Sequence, residues 1–440
     1  MSKIFFNYIN LNINEGKKVL IFFLIFIFFV SVVSIVYTLI FVQKNSYLVD
    51  DQLNIIINNI PFNWGPLMEN IYSNFKFSQP GYNFEFYLKK LPLNALYLVI
   101  ILKISKNIYI FMLIKNIITS SLIFYFTYLF TKNNKKNFTL FLFILSSFFI
   151  IPYNTSVIFN FVYGDHLTSF LVPLLFLSLV SIYQKNYHII GLLIFILYFT
   201  KPSMFFICLT IPFIIILFED KKNDYKKFIP FIYLLIAIFS WGIYGLSKTN
   251  SFPFGKNLLS NNSFDFSAIT NSQFSKIYPN ISVDSIDVIQ NNKNTMKNEN
   301  FENEWEYYNY YNKRNILYLK ENLDEYLKTI PKKIHFIFFR INKDNMSVLE
   351  YKSQPHQVRY SNIINKLSLN FSVLLALYIL IKNYKNFFNS RIEIYYLSLV
   401  LLNILPHLYG WATNKHLVGI FIISNLYLVL KFFKFKEDYP

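Results

Sequence analysis

Residues 17–42 read KKVLIFFLIFIFFVSVVSIVYTLIFV, an uncharged apolar run behind two lysines. About 20 helical residues cross the roughly 30 Å hydrocarbon core of a bilayer, so this run is long enough to span it. Its apolar part is too long for a cleaved signal peptide, and no small-x-small cleavage site follows. We therefore interpret it as an uncleaved transmembrane helix that begins on the cytoplasmic side, where Lys3, Lys17 and Lys18 lie.

The composition of the whole chain agrees with that first run. Of the 440 residues, 54% are hydrophobic and only 15% are charged, against about 25% charged in soluble domains. We predict an all-α polytopic membrane protein with about ten transmembrane helices, an interfacial helix in the first outer loop, and a large outer loop module before the last three spans. The predicted spans are 18–42, 107–130, 138–153, 167–183, 187–200, 203–218, 228–246, 366–384, 392–410 and 415–433.

The net charge of +18 does not indicate nucleic-acid binding. The lysines lie in short loops between apolar runs, where membrane topology concentrates them on the cytoplasmic side. The short run 91–102 is flanked by lysines and is too short to cross. If it lies along the interface instead, the other basic short loops all fall on the cytoplasmic side, and so do both termini. The single cysteine, Cys208, excludes an internal disulfide and any cysteine-based metal cluster.

Three domains follow from this topology. Residues 1–246 form a transmembrane core whose first outer loop is 43–106. Residues 247–365 are too long and too polar for a connector, and form an extracytoplasmic module with helical character over 301–343. Residues 366–440 contain the C-terminal transmembrane helices.

Acidic residues at the outer ends of spans are the first candidates for chemistry. Asp50 and Asp51 follow the first span directly, where they could act as a base, bind a metal or be solvated loop charges. Asp165 and His166 occupy a short outer turn, and ionisable groups at the membrane edge tend to be functional. The structural alternative for Asp165 is a helix N-cap.

The short outer loops carry few cations. Lys201 precedes Pro202 in an outer turn, and His407, Lys415 and His416 gather at the outer ends of the last two spans. They could form a cationic pocket for a lipid phosphate. The alternative is that the lysines only anchor span ends at the headgroups.

The order of these motifs resembles the GT-C superfamily of membrane glycosyltransferases, in particular the protein O-mannosyltransferase and lipid A aminoarabinose transferase branches. One span is followed by Asp50-Asp51, then by Phe77-Ser78-Gln79-Pro80-Gly81 and by Lys90-Leu91-Pro92-Leu93, which is similar to the entry of the family's interfacial helix. Asp165 in the second outer loop and Lys201-Pro202 between later spans complete the pattern. The resemblance is best over 1–220. Lys90 replaces the usual Arg, and Lys415-His416 stands where the family often has Arg.

The resemblance implies transfer of a sugar from a polyprenyl-phosphate donor, with inversion, on the extracytoplasmic face. Asp50 or Asp51 would be the base, and Asp165 a second acid or a metal ligand. Lys201, Lys415, His416 and His166 would contact the donor phosphate. A divalent metal ion is the one cofactor implied. The acceptor would be a lipid, a glycan or a protein, and the setting a bacterial inner membrane.

Two other functions stay open at this point. A polysaccharide polymerase or O-antigen ligase would use basic residues of the large outer loop, where the candidates are Arg314, His335, Arg340, His356 and Arg359. A transporter or flippase would favour paired repeats and charged or glycine-broken helices at mid-membrane. The chain has 10 glycines, and Lys115 is the main charge within a span.

Overall fold

The computed structural model describes most of the hydrophobic chain and part of the polar module. The described residues are 13–44, 65–80, 84–88, 91–131, 137–151, 155, 158–159, 164–181, 186–218, 225–252, 301–321, 323–324, 326–328, 330–331, 334, 355–384, 390–409 and 417–433.

The described residues are mostly helical. The helices are α1 (Ile13–Lys44), α2 (Gly65–Asn74), α3 (Pro92–Ile104), α4 (Ile108–Thr131), α5 (Asn137–Phe149), α6 (Gly164–Val180), α7 (Tyr187–Tyr198), α8 (Phe205–Phe218), α9 (Ile229–Thr249), α10 (Glu304–Glu321), α11 (Pro355–Lys382), α12 (Arg391–Tyr409) and α13 (Val418–Phe432). Short 3-10 turns, Pro202–Met204 and Tyr225–Phe228, precede α8 and α9. Two short strands, β1 (Gln79–Pro80) and β2 (Glu85–Phe86), pair antiparallel.

The apolar helices indicate a membrane protein. Among the described residues, three segments are long and apolar enough to cross a bilayer: Lys17–Val36 within α1, Ile108–Thr131, and Tyr225–Thr249. The other predicted spans coincide with helices too, most of them shorter. The α1 helix exposes large apolar side chains along its length, such as Phe28 and Phe29. In water this surface would be costly, whereas in a bilayer it faces lipid.

Two helices form the centre of the bundle. Every described side chain of α6 from His166 to Val180 is buried, and α13 is buried over most of its length. The two helices pack closely because α13 has Gly419 at the contact, where an added Cβ atom would lie 3.4 Å from the Thr168 carbonyl oxygen of α6. A helix that is apolar on all sides is stable only when other helices or lipid surround it.

A second close helix contact joins α7 to α9. At Gly191 of α7, an added Cβ atom would lie only 2.6 Å from the Tyr233 ring of α9. The missing side chain therefore lets the tyrosine ring lie against the α7 backbone. Close approach at a small residue is the usual way in which helices associate in membranes.

The first polar loop carries structure that the sequence did not predict. Helix α2 packs its Leu67, Met68 and Ile71 against the apolar face of α3. The β1–β2 hairpin follows, and Lys76 forms a 2.6 Å ion pair with Glu85 across it. The hydrogen bond from Lys76 lowers the pKa of the Glu85 carboxyl group. The loop therefore presents a packed unit to the helices that follow it.

Long-range contacts gather the polar segments at one end of the bundle, which we call the loop end. The Leu93 N–H donates to the Phe199 carbonyl oxygen at 3.3 Å. The Tyr244 hydroxyl, in the last turns of α9, donates to the Phe77 carbonyl oxygen at 2.6 Å. The opposite end is marked by the ion pair between Lys431, late in α13, and buried Glu393, early in α12.

Candidate functional site

A network of buried polar side chains surrounds His166, near the start of α6. The His166 ring is fully buried, and its Nε2 atom lies 3.2 Å from the Thr119 Oγ1 atom of α4. The Tyr97 ring of α3 stacks on it with centroids 6.2 Å apart, and Phe170 meets it edge-on at 5.5 Å. Three helices therefore fix the position of one imidazole, which directly follows Asp165 in the chain.

Lys115 lies one turn before Thr119 on α4 and is fully buried. Its Nζ atom donates to the carbonyl oxygens of Ile158 at 3.2 Å and Phe159 at 2.8 Å. Ionisable residues inside a membrane protein are costly unless they are paired or bonded to backbone carbonyls. This contact fixes the backbone shortly before the turn that carries Asp165. In structural terms, Lys115 stabilises the packing of α4 against the segment that contains Ile158 and Phe159. In functional terms, it holds in place the segment that leads to Asp165, a predicted site residue.

The main-chain carbonyl of Lys115 extends the same network. It accepts hydrogen bonds from the Thr119 hydroxyl at 2.9 Å and from the Tyr97 hydroxyl at 3.2 Å. Tyr97 of α3 thus bonds directly to this turn of α4, and His166 of α6 contacts the same turn through Thr119. The ring stacking and these hydrogen bonds join the three helices at one place.

Helix α3 also reaches the turn that carries Lys201. Leu93 and Tyr97 are four residues apart, about one helical turn. Leu93 bonds to the backbone of Phe199, and Tyr97 stacks on His166. The first two turns of α3 therefore connect the turn before Lys201 with the start of α6. Sequence analysis placed both turns on the same side of the membrane, and the fold brings both into contact with the same helix.

Asn94 lies between those two contacts. Its side chain is fully buried, and neither its Oδ1 nor its Nδ2 atom has a hydrogen-bond partner among the described residues. A buried amide without partners costs a few kcal/mol, so its presence calls for an explanation. A polar ligand that enters beside α3 would satisfy it. Asn94 therefore adds a candidate binding group to the network.

The predicted site residues differ in what the structure describes of them. Asp50, Asp51, Lys415 and His416 lie outside the described residues. For Asp165 the backbone alone is described: it lies in the first turn of α6, where the helix dipole favours a carboxylate. The helix begins at Gly164, so the sequence alternative of an N-cap at Asp165 does not match the described helix start.

His166, Lys201 and His407 are described in more detail. The sequence predicts that His166 contacts a donor phosphate; in the fold its buried ring contacts Thr119 and the aromatic rings of Tyr97 and Phe170. Lys201 is partly exposed, and its carbonyl oxygen accepts the Met204 N–H at 3.0 Å, which closes the 3-10 turn before α8. His407 is buried near the end of α12. Among the residues that the structure describes, no group of three or more His, Cys, Asp or Glu side chains could hold a metal ion.

A buried carboxylate attaches the polar module to the first loop. Glu304, at the start of α10, accepts the N–H groups of Tyr87 at 2.8 Å and Leu88 at 2.9 Å. It also accepts the Tyr308 hydroxyl at 2.7 Å. Trp305 and Phe86 pack around it in an aromatic cluster. These contacts join segments that are more than 200 residues apart in the sequence. Tyr87 and Leu88 lie immediately before Lys89-Lys90-Leu91-Pro92, which leads into α3.

Sequence reasoning missed most of this network. Lys115 was visible as a rare charge within an apolar run, and that isolation was the available signal. Tyr97 and Thr119 are ordinary residues of apolar helices, and nothing in their spacing distinguishes them. Glu304 was one acidic residue among many in the polar module. Its role depends on a contact with the first loop that no local pattern predicts.

Comparison of the chain with protein-family models, with curated proteins and with solved structures found no match.

Proposed function

We propose that the protein is a glycosyltransferase of the GT-C type, which moves a sugar from a polyprenyl-phosphate donor to an acceptor on the extracytoplasmic face of the membrane. In this proposal the chain crosses the membrane about ten times, α3 lies along the outer interface, and the loop end of the bundle faces outward. A bacterial inner membrane is the expected setting.

The observation that carries the proposal is the position of α3. The helix follows Lys90-Leu91-Pro92-Leu93, and its first two turns contact both the backbone before Lys201 and the ring of His166. An interfacial helix between a carboxylate-bearing turn and a lysine-bearing turn suits a donor that lies in the outer leaflet. The phosphate would lie at the headgroup level, with the sugar directed toward the polar end of the bundle.

The residues would divide the chemistry between them. Asp50 or Asp51 would take the proton from the acceptor hydroxyl as it attacks the anomeric carbon from the face opposite the phosphate. Lys201, Lys415 and His416 would stabilise the charge that develops on the leaving phosphate. Asp165 would act as a second acid or bind a divalent metal, and that metal would supply further charge stabilisation. His166, which is buried, would hold the start of α6 in position.

The test is a transfer assay with the purified protein. The protein would be reconstituted with a panel of radiolabelled polyprenyl-phosphate sugars and candidate lipid, glycan and protein acceptors, with and without a divalent metal. We expect one donor to release its sugar to an acceptor, with inversion at the anomeric carbon. The proposal is wrong if no donor in the panel is consumed while the protein is folded. Consumption of a polyprenyl-diphosphate-linked glycan instead would favour the polymerase or ligase alternative.

The matched variants for that assay are Asp50→Asn and Asp51→Asn. Each keeps the size of the side chain and removes its basicity. Two adjacent carboxylates give an internal control, because one of the two should be the base and the other should tolerate the change. If both variants transfer sugar at the wild-type rate, neither Asp50 nor Asp51 is the base.

A further inference from the structure

The helical segment that starts at Glu304 carries an apolar face that the rest of the fold leaves exposed. Ile316, Leu323 and Leu327 are 46%, 53% and 50% exposed, and Ile334 beyond them is 39% exposed. Helix α10 ends at Glu321, and every described residue from 323 to 334 is helical too. The spacings of seven, four and seven residues place these four side chains on one face of a helix.

The neighbouring face of the same segment rests on the bundle. Tyr308 bonds to Glu304 in the aromatic cluster at the loop end. Tyr326, eighteen residues later and therefore on the same face, donates a 3.3 Å hydrogen bond to the Leu408 carbonyl oxygen at the end of α12. The face that carries Tyr308 and Tyr326 thus lies against the bundle, and the exposed apolar face lies beside it.

The surface of α12 near the contact between Tyr326 and Leu408 is apolar as well. Leu401 and Leu405 of α12 are 55% and 51% exposed, and they lie two turns and one turn before Leu408, respectively. In a membrane protein such side chains face lipid. The apolar face at Leu327 therefore begins near the level at which the apolar surface of α12 ends.

Two exposed lysines lie beside the apolar face, together with Asp324. Lys313 and Lys320 are exposed, and their positions in the sequence place them along its edge. An apolar face bordered by lysines is typical of helices that lie in a membrane interface, where lysines meet anionic lipid phosphates.

We propose that the segment 313–334 is an interfacial helix of the polar module, with Ile316, Leu323, Leu327 and Ile334 inserted into the outer leaflet and Lys313 and Lys320 bound to anionic lipid headgroups. The inference needs the chain to be a membrane protein whose loop end faces outward, and it does not depend on the proposed glycosyl transfer. It implies that Glu304 and Tyr326 hold the polar module to the protein, and that this face holds it to the lipid.

Depth measurements with spin labels would test the proposal on the full chain in nanodiscs. Cys208, the single native cysteine, is buried, so Cys208→Ser provides the background for Leu323→Cys and Leu327→Cys. Asp324→Cys is the matched control, because Asp324 is exposed and lies between the two leucines in sequence, on a more polar face. A nitroxide at each position is exposed to oxygen, which partitions into lipid, and to a water-soluble nickel chelate.

We expect the ratio of oxygen to nickel collision rates at residues 323 and 327 to exceed that at residue 324 several-fold in discs with anionic lipid. Replacing the anionic lipid with phosphatidylcholine should reduce the ratio at residue 323, and Lys313→Gln with Lys320→Gln should remove that lipid dependence. Equal nickel access at all three positions would overturn the proposal. So would protection from both reagents together with broadening between labels, because that result identifies a second copy of the chain as the occupant of this face.

Discussion

The Nζ atom of Lys115 donates a 2.8 Å hydrogen bond to the carbonyl oxygen of Phe159, and both groups are buried in the bundle. A second bond, to the Ile158 carbonyl, completes the attachment. One lysine of α4 therefore fixes the backbone that leads to Asp165 and α6. Removing the lysine leaves two buried carbonyl groups without this donor. The resulting loss in the free energy of unfolding can therefore be measured.

Lys115→Met should destabilise the fold. Methionine fills much of the same volume but donates no hydrogen bond, and each buried acceptor left unsatisfied costs about 1–3 kcal/mol. The measurement is the thermal unfolding midpoint of purified protein in detergent. Lys248→Met is the control, because Lys248 lies exposed in the last turn of α9 and should tolerate the change. If the two variants unfold at the same temperature, Lys115 does not hold this segment.

Glu304→Gln should weaken the attachment of the polar module to the first loop. The carboxylate accepts three hydrogen bonds through its two oxygens, whereas glutamine offers one acceptor and turns an N–H group toward a backbone donor. We expect a loss of about 1–3 kcal/mol in the free energy of unfolding. Glu306→Gln, at an exposed position of the same helix, is the matched control. A larger effect at residue 306 than at residue 304 would contradict the role assigned to Glu304.

The same attachment should weaken in alkali. Burial, together with the nearby Glu304 carboxylate, raises the pKa of the Tyr308 hydroxyl well above its ordinary value of about 10. A raised pKa means that the folded state keeps a proton that the unfolded chain releases above about pH 10, so the stabilisation is complete below that pH and is lost as the pH rises further. The difference in unfolding midpoint between wild type and Tyr308→Phe should be constant from pH 7 to 9 and decrease above pH 10. A difference that stays constant to pH 11 would show that Tyr308 titrates normally.

Gly191→Ala should cost more than Gly419→Ala. The new methyl group at residue 191 would lie 2.6 Å from the Tyr233 ring, which must move, whereas at residue 419 the nearest atoms lie at 3.4 Å. Overpacking typically costs about 1–3 kcal/mol, and the higher helix propensity of alanine offsets up to about 1 kcal/mol of this. Thermal unfolding of the two variants gives the comparison directly. Equal midpoints would mean that α7 and α9 separate at little cost.

Lys201→Met tests the proposed contact with the donor phosphate. A phosphate ligand matters most as negative charge develops on the leaving group, so turnover should decrease together with donor affinity. A lysine that only anchors a span end should alter expression or stability and leave turnover per folded molecule unchanged. Normal transfer by both Lys201→Met and Lys415→Met would place the phosphate site elsewhere, with Arg314, Arg340 and Arg359 of the polar module as the next candidates.

Hydropathy and charge along the chain were enough to predict where most of the helices lie, although not α2. Residues 19–42 are largely apolar on all sides, so any folded state that avoids exposing them to water must place them in lipid or in a core. The same reasoning located α3 and the helix within 301–343. Their partners were not predictable, because apolar periodicity identifies a buried face without identifying the surface that covers it.

The positions of single side chains depended on the tertiary structure. Lys115, Thr119, Tyr97 and His166 come from three helices, and their hydrogen bonds form only when those helices pack in one register. Glu304 meets Leu88 across more than 200 residues, and local propensity carries no information about a contact of that kind. The amino-acid sequence thus establishes the membrane environment through transfer free energies that add residue by residue, whereas the polar network depends on distances and directions that exist only after the helices are assembled.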